Sequence, residues 1–312
     1  MLVFLTAIQG AESATQHIAQ LENASLQVVI ADNGPFGAEH RSGYNGLAEP
    51  RLATRGAKNL FVPNYAGLNL EHVFSGDVTS FDWNIFEPRR SPMELIRHSP
   101  TRVELRQNKT EHWPLRSRLV YELKDDGVDF IYYGTPLEDL WAKHHYIGIF
   151  FASYIQAPED MAIEFIGRGR PGRGDPQPRW LKHLPEKHGQ AANHRPAGST
   201  WDPALDDGFT IELVKGISNF EYIYPFYFGR SGENVFILMF ERNAPEGELR
   251  FAQSPSGGGN GNPAWDFVYF RRDYSVNREF NFRVRAVYRK FVSKEEVAST
   301  YEKWSGEKVN LP

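Results

Sequence analysis

Apolar and polar residues alternate along most of this chain, and alternation of period two marks strands buried on one face. In Arg102 to Arg106, Val103 and Leu105 share a face; in Arg118 to Leu123, Leu119, Tyr121 and Leu123 do; in Val128 to Tyr133, Val128, Phe130 and Tyr132 do. These three runs predict a meander. Towards the C-terminus, Phe280, Phe282, Val284, Ala286 and Tyr288 alternate with Glu279, Asn281, Arg283, Arg285 and Arg289, which predicts one long strand with an apolar and an Arg-rich face. Tyr222 to Phe228 and Val235 to Glu241 flank Arg230 to Asn234, a polar link of hairpin length containing Gly232. Leu249 to Gln253 and Trp265 to Arg272 flank a longer loop.

One helix is strongly signalled. Ser293 with Glu296 three residues on is a capping box, and Val297, Thr300, Tyr301 and Trp304 follow on one face. Glu12 to Leu21 is a second helical candidate. Gly167 to Pro178 and Ser254 to Pro263 read as loops from their Gly and Pro content. The expectation is an all-β chain, a large antiparallel β-sandwich over 20–292 closed by a C-terminal helix at 293–304, with 1–312 as a single domain.

Composition narrows the function. Hydrophobic residues make up 41% of the 312 and aromatics 14%, enough for a substantial core. Lys and Arg number 35 against 39 acidic residues, a net charge of -4, so no basic field points to nucleic acid. No apolar run is long enough to span a bilayer. Met1 to Ile8 followed by small residues reads either as a trimmed signal peptide or as a first strand, which leaves periplasmic or secreted and cytoplasmic locations both open. With no cysteine, disulfides, thiolate nucleophiles and Cys-based zinc sites are excluded. There is no Gly-x-Ser-x-Gly elbow, and Gly167 to Arg170 lacks the Lys-Ser/Thr and helix of a phosphate loop. The oligomeric state is not legible.

The ten histidines are the leading candidates for proton transfer. His144 and His145 are adjacent in an expected strand and so face opposite ways, with His144 assigned to the groove. His72 ends a strand beside Asn69 and Asp77 and could serve as acid or base, or be a hydrogen-bonded structural group. His183, His188 and His194 fall in an expected loop; His188 and His194 are the candidate ligands should a divalent metal bind, although no cofactor is required by the rest of the sequence. The run from Asn219 to Arg230 is rich in Tyr. Tyr222, Tyr224 and Tyr227 with Arg230 suit a sugar groove, where aromatic faces stack on pyranose rings, and core filling is the alternative. Gln253, Trp265 and Asp266 offer a second wall.

Several strings, His40-Arg41-Ser42-Gly43-Tyr44-Asn45-Gly46, Tyr65 to His72, Tyr146 to Tyr154 with Ala157 to Asp160, Tyr224 to Gly232 and Phe251 to Asp266, resemble an uncharacterised bacterial family over residues 20 to 304. Through it the chain resembles the galactose mutarotase-like, or aldose epimerase-like, supersandwich proteins. The resemblance implies a concave sheet face that binds carbohydrate, with a His acid (His72 or His144) and a Glu base (Glu221). Arg41, Tyr44, Asn45 and Asn69, which fall within these strings, are candidate substrate-binding residues. The Asn-His-x-Tyr-Phe-Asn-Leu string of true aldose epimerases is absent. Polysaccharide lyases of this kind of fold use Tyr or His to abstract a proton beside a uronate carboxylate, while Arg or a metal neutralises charge.

The sequence therefore points to a carbohydrate-active enzyme working by proton transfer, an epimerase or a β-eliminating lyase, with Tyr224 or Tyr227 and a His sharing the proton and Arg230 and Arg41 holding an anion. A non-catalytic glycan-binding protein is the alternative. A hydrolase using Glu221 with Asp206 or Asp207 ranks last.

Overall fold

The computed structural model of the chain describes residues 17–54, 56–78, 84–242 and 247–312. Strands β1 (Ile18–Glu22), β2 (Leu26–Ala31) and β3 (Gly46–Leu52) form a small antiparallel sheet. The main sheet is built from β4 (Asn69–Phe74), β5 (Glu94–Ser99), β6 (Arg102–Gln107), β7 (Leu115–Lys124), β8 (Gly127–Pro136), β9 (Tyr146–Ala152), β10 (Ile163–Gly169), β11 (Arg179–His183), β12 (Asn193–Pro196), β13 (Ile217–Tyr222), β14 (Phe226–Ser231), β15 (Asn234–Phe240), β16 (Gly247–Ser254), β17 (Ala264–Arg272) and β18 (Phe280–Lys290). Its order is β4-β9-β17-β16-β12-β13-β10-β14-β15-β18-β8-β7-β6-β5, with β11 on β10, and all pairs but β12 with β13 are antiparallel. Three α-helices, α1 (Glu87–Arg90), α2 (Glu212–Lys215) and α3 (Lys294–Ser305), and a 3-10 turn at Asn84–Phe86 complete the described elements.

The sheet folds over so that its two halves face each other, the arrangement in which strands with one apolar face bury it. Phe151 of β9 and Phe267 of β17 meet Phe130 of β8 and Phe282 of β18 across this core, with ring centroids 5.4 to 6.1 Å apart. β6 to β8 are the expected meander, which β5 extends by one strand, and β18 alternates as its sequence implies. β14 and β15 turn at Gly232-Glu233 as a hairpin. The Ser293 hydroxyl caps α3 by accepting from the Glu296 amide at 3.2 Å, and Gly306 ends it at φ 75°, a conformation only glycine adopts freely.

The pattern misleads in four places. Tyr222 to Phe228 is two strands, because Pro225 has no amide to give the ladder and the chain breaks at 223–225. His144 and His145 precede β9, and His145 sits at φ 57°, so they do not alternate across a strand. Gly167 to Gly169 belong to β10 rather than to a loop: a Cβ on Gly167 would come within 2.5 Å of the Glu221 carbonyl, so these glycines permit close strand approach. The described part of the Glu12 to Leu21 candidate helix lies in β1; its first residues, and the Met1 to Ile8 run, lie outside the described residues.

His183 and His194, read as loop residues, lie in β11 and β12. His194 is 0% exposed and packs between the rings of Phe165 and His183, at 4.7 and 4.6 Å. Burial holds the imidazoles of His40, His72, His183 and His194 below the ordinary 6.5, His194 furthest. Each takes a proton in the unfolded chain at a pH where the folded protein refuses it. The stability they confer is complete above 6.5 and is lost as pH falls from there towards the depressed folded values. The thermal midpoint, followed from about pH 8 to about pH 5, is expected to drop below the ordinary histidine value. His194→Leu should flatten that drop; an unchanged slope in the variant would contradict the assignment.

Candidate functional site

The site forms where β4, β9, β16 and β17 run side by side. Between Leu70 and His72 the pairing of β4 with β9 shifts by one: Leu70 opposes Phe151 and His72 opposes Phe150, leaving Glu71 as an extra residue. Alternation would send Glu71 and His72 to opposite faces. A β-bulge removes that constraint, and both side chains line one cavity of about 290 Å³. Asn45 pins the bulge: it is fully buried, its Oδ1 accepts from the Leu70 amide at 3.0 Å and its Nδ2 donates to the Leu70 carbonyl at 3.3 Å. Asn69 donates to the Asn45 carbonyl at 3.0 Å. Both asparagines thus hold backbone.

Asp266, from β17, and Tyr154, just beyond β9, share the cavity with Glu71, His72, His188 and Ser254. Glu71 Oε1 accepts from Arg89 Nη1 at 2.9 Å and from the Tyr154 hydroxyl at 2.7 Å, while its Oε2 lies 3.8 Å from His72 Nε2. Asp266 Oδ1 accepts from the Ser153 amide at 2.8 Å. Burial holds the Asp266 carboxyl well above the usual carboxylate range; the Ser153 amide opposes this and the Glu71 charge adds to it. Burial likewise pushes the Tyr154 phenol up, with the neighbouring Glu71 charge contributing. The two carboxyl groups of the cavity therefore stand in different surroundings: Glu71 is paired with a guanidinium, and burial favours the protonated form of Asp266. His188 is held through Nδ1 on Ser254 Oγ at 2.9 Å.

One flank is aromatic. Tyr65 stands 4.5 Å from Tyr44 and 4.9 Å from Tyr154, the Arg89 guanidinium lies 3.7 Å over the Tyr44 ring, and Arg41 lies 5.7 Å over Tyr65. Of the expected site residues, the fold thus gathers His72, Asp266 and His188 in the cavity, with Tyr44 and Arg41 beside it and Asn45 and Asn69 beneath.

The others lie elsewhere. Tyr224 stacks under α3 and accepts from the Asn310 amide, and Arg230 covers Phe291 at 4.0 Å. The Tyr222 and Tyr227 hydroxyls donate to the carbonyls of Leu249 and Trp265 inside the core. Glu221 is buried against Arg168 at 2.7 Å. Gln253 and Trp265 both donate to the Met161 carbonyl, at 3.1 and 2.9 Å. His144 Nε2 is 3.0 Å from Asp206, whose carboxyl the Lys143 ammonium holds down at about 2. His188 and His194 have separate partners, and among the described residues no group of three or more His, Cys, Asp or Glu is placed to hold a metal ion. The sequence reading missed Glu71, Arg89, Tyr65 and Tyr154 as site residues, although Tyr65, Glu71 and Tyr154 lie within the strings that carry the family resemblance.

No helix among the described residues is long and apolar enough to cross a membrane. No family model matches the sequence, and no curated protein matches it. Among solved structures, a proposed aldose 1-epimerase from Escherichia coli K12 superposes with a TM-score of 0.51 at 10% identity, covering 88% of this chain and 99% of that one. A galactose mutarotase-like protein from Lactobacillus casei ATCC 334 gives a TM-score of 0.48 at 11% identity, over 87% of this chain and 100% of that one. With its antiparallel sheet folded on itself and its C-terminal helix, the chain has the galactose mutarotase-like supersandwich fold and resembles the aldose epimerase-like proteins in architecture.

Proposed function

We propose that this chain is a carbohydrate-active enzyme that moves protons on a single sugar ring held in the Glu71–Asp266 cavity, interconverting anomers as an aldose epimerase does. The observation that carries the reading is the bulge at Glu71, which brings a carboxyl group and a histidine into one cavity with a second carboxyl group, Asp266, whose burial favours the protonated form. Anomer exchange needs this pairing: a base removes the proton of the anomeric hydroxyl while an acid gives one to the ring oxygen, the ring opens, and the reverse transfers close it on the other face. Glu71 is the base, Asp266 the acid, and His188 and neutral His72 bind hydroxyls. Phe86 and Tyr154 in the cavity wall offer aromatic surface to the apolar face of the ring.

The cavity's size favours a monosaccharide over a polymer, since it sits at the low end of the roughly 300–1,000 Å³ of ligand pockets. Tyr154, with its phenol bonded to Glu71, is a poor candidate for abstracting a carbon-bound proton. NMR magnetisation exchange between the α and β forms of a panel of aldoses tests the proposal. Exchange above the buffer rate for at least one sugar is expected. A sugar that binds without faster exchange would make the chain a glycan-binding protein, and ultraviolet-absorbing unsaturated products from uronate polymers would make it a lyase.

A further inference from the structure

Glu71 can serve as a base only while one of its oxygens stays free. Arg89 and Tyr154 both bond Oε1, which leaves Oε2, 3.8 Å from His72 Nε2, without a hydrogen bond from the described residues. Which oxygen is free therefore depends on where Arg89 stands. Arg89 is carried by α1, and four residues are too few to hold a helix on their own; Phe86, at its N-cap, adds no side-chain bond. The place of α1 is set from outside.

One side chain reaches the supports of both Arg89 and Glu71. Asn33, 8% exposed and between β2 and β3, donates through Nδ2 to the carbonyls of Pro88 and Ser91, at 2.7 and 2.6 Å, on either side of Arg89. Its Oδ1 accepts from Asn45 Nδ2 at 2.9 Å, and Asn45 in turn holds both backbone groups of Leu70, the residue before Glu71. The Asn33 carbonyl accepts from the Gly43 amide at 2.9 Å, and the Gly43 carbonyl takes Arg89 Nε at 3.0 Å. Gln107 braces the same two carbonyls of Pro88 and Ser91 from β6, at 2.8 and 3.2 Å, so α1 keeps a tether when Asn33 is changed.

We propose that Asn33 is a positioning residue for the reaction assigned to the Glu71–Asp266 cavity: its amide ties Arg89 and the Glu71 bulge together, so that the guanidinium meets Oε1 and Oε2 stays free to take the sugar's proton. The proposal rests on that assignment. Asn33 does not line the cavity and acts through Arg89 and Leu70. An amide suits the task, since it offers two donors and an acceptor in one plane and carries no charge to compete with Glu71 for the guanidinium.

The Arg89 Nε–H, seen in the proton–nitrogen NMR spectrum and assigned by its loss in Arg89→Lys, reports the clamp without reference to turnover. Asn33→Ala is expected to speed its exchange with solvent about tenfold or more and to slow anomer exchange about 10- to 100-fold, the scale on which a misplacement of about 1 Å acts. Asn33→Ser, whose hydroxyl replaces one of the two donors, should fall between, and serves if the alanine variant does not fold. Asn59→Ala is the control. Asn59 is also 8% exposed and bonds backbone, at the Ala48 carbonyl and the Phe61 amide. It should lose stability in urea as Asn33→Ala does, while the Arg89 signal and the anomer exchange of the folded protein stay at wild type. An Arg89 signal unchanged by Asn33→Ala, wild-type anomer exchange in that variant, or equal losses in Asn59→Ala would each overturn the proposal. A wild-type protein that accelerates no aldose overturns the assigned reaction instead, with the Arg89 signal still deciding whether Asn33 holds the pair.

Discussion

Asp266→Asn is expected to slow anomer exchange about 100-fold or more, the scale on which a positioned general acid contributes. Asparagine keeps the shape and the oxygen that accepts from the Ser153 amide, so the change removes the proton and little else. Because burial raises the Asp266 carboxyl, wild-type activity should persist above the usual carboxylate range and fall as pH rises through the raised value; the variant should lack that limb. The same shift fixes the sign for stability. A carboxyl raised in the folded state contributes fully below its ordinary 3.8 and loses that contribution as pH rises through the folded value, so at neutral pH the asparagine variant should be at least as stable as wild type. Lost activity with a retained unfolding midpoint is therefore the decisive pairing, measured by NMR exchange and urea titration. Full activity in the variant would remove Asp266 from the reaction. Glu71→Gln should slow exchange comparably and also cost stability, since Arg89 then loses its charged partner and keeps only a neutral amide oxygen at that position.

Phe151→Ala should be the most destabilising single truncation in the sandwich, by about 3–5 kcal/mol. Phe151 is fully buried at the centre of the fold, and the rings of Phe130, Tyr132, Phe267 and Phe282 surround it at 5.0 to 5.9 Å. Those neighbours belong to strands locked by ladders on both sides, β9 between β4 and β17, β8 between β7 and β18, so the sheets cannot close on the vacated space. The loss therefore combines lost burial with a retained cavity. Urea unfolding should show a lower midpoint with an unchanged slope. Val292→Ala, at a side chain 71% exposed, is the control and should fall within about 0.5 kcal/mol of wild type. A Phe151 variant that matches the control would mean the two halves of the sheet are not held by this aromatic layer.

How far the sequence reaches can be judged at particular residues. The alternation in β6, β7, β8 and β18 and the Ser293–Glu296 cap are local facts: strand and helix periods are properties of a few consecutive residues, so they survive without knowledge of the partner. His72 and Asp266 were readable as candidates because their residue types carry chemistry wherever they fall. Tyr224 and Arg230 carried equal chemical promise and lie under α3 and against Phe291, since composition does not say which face of a folded sheet a strand presents.

What only the tertiary structure decided is the meeting of these groups. The bulge at Glu71 is defined by the pairing of β4 with β9, strands about 75 residues apart in the chain, and nothing in Leu70-Glu71-His72 announces a dropped register. Arg89 and Tyr154 reach Glu71 from separate elements, and the Asp266 carboxyl is raised because neighbours distant in sequence bury it. The alternation of side chains is written into each strand and settles an all-β sandwich; shared cavities, and the burial that shifts a carboxyl or an imidazole, arise between strands, from contacts that form when the sheet closes.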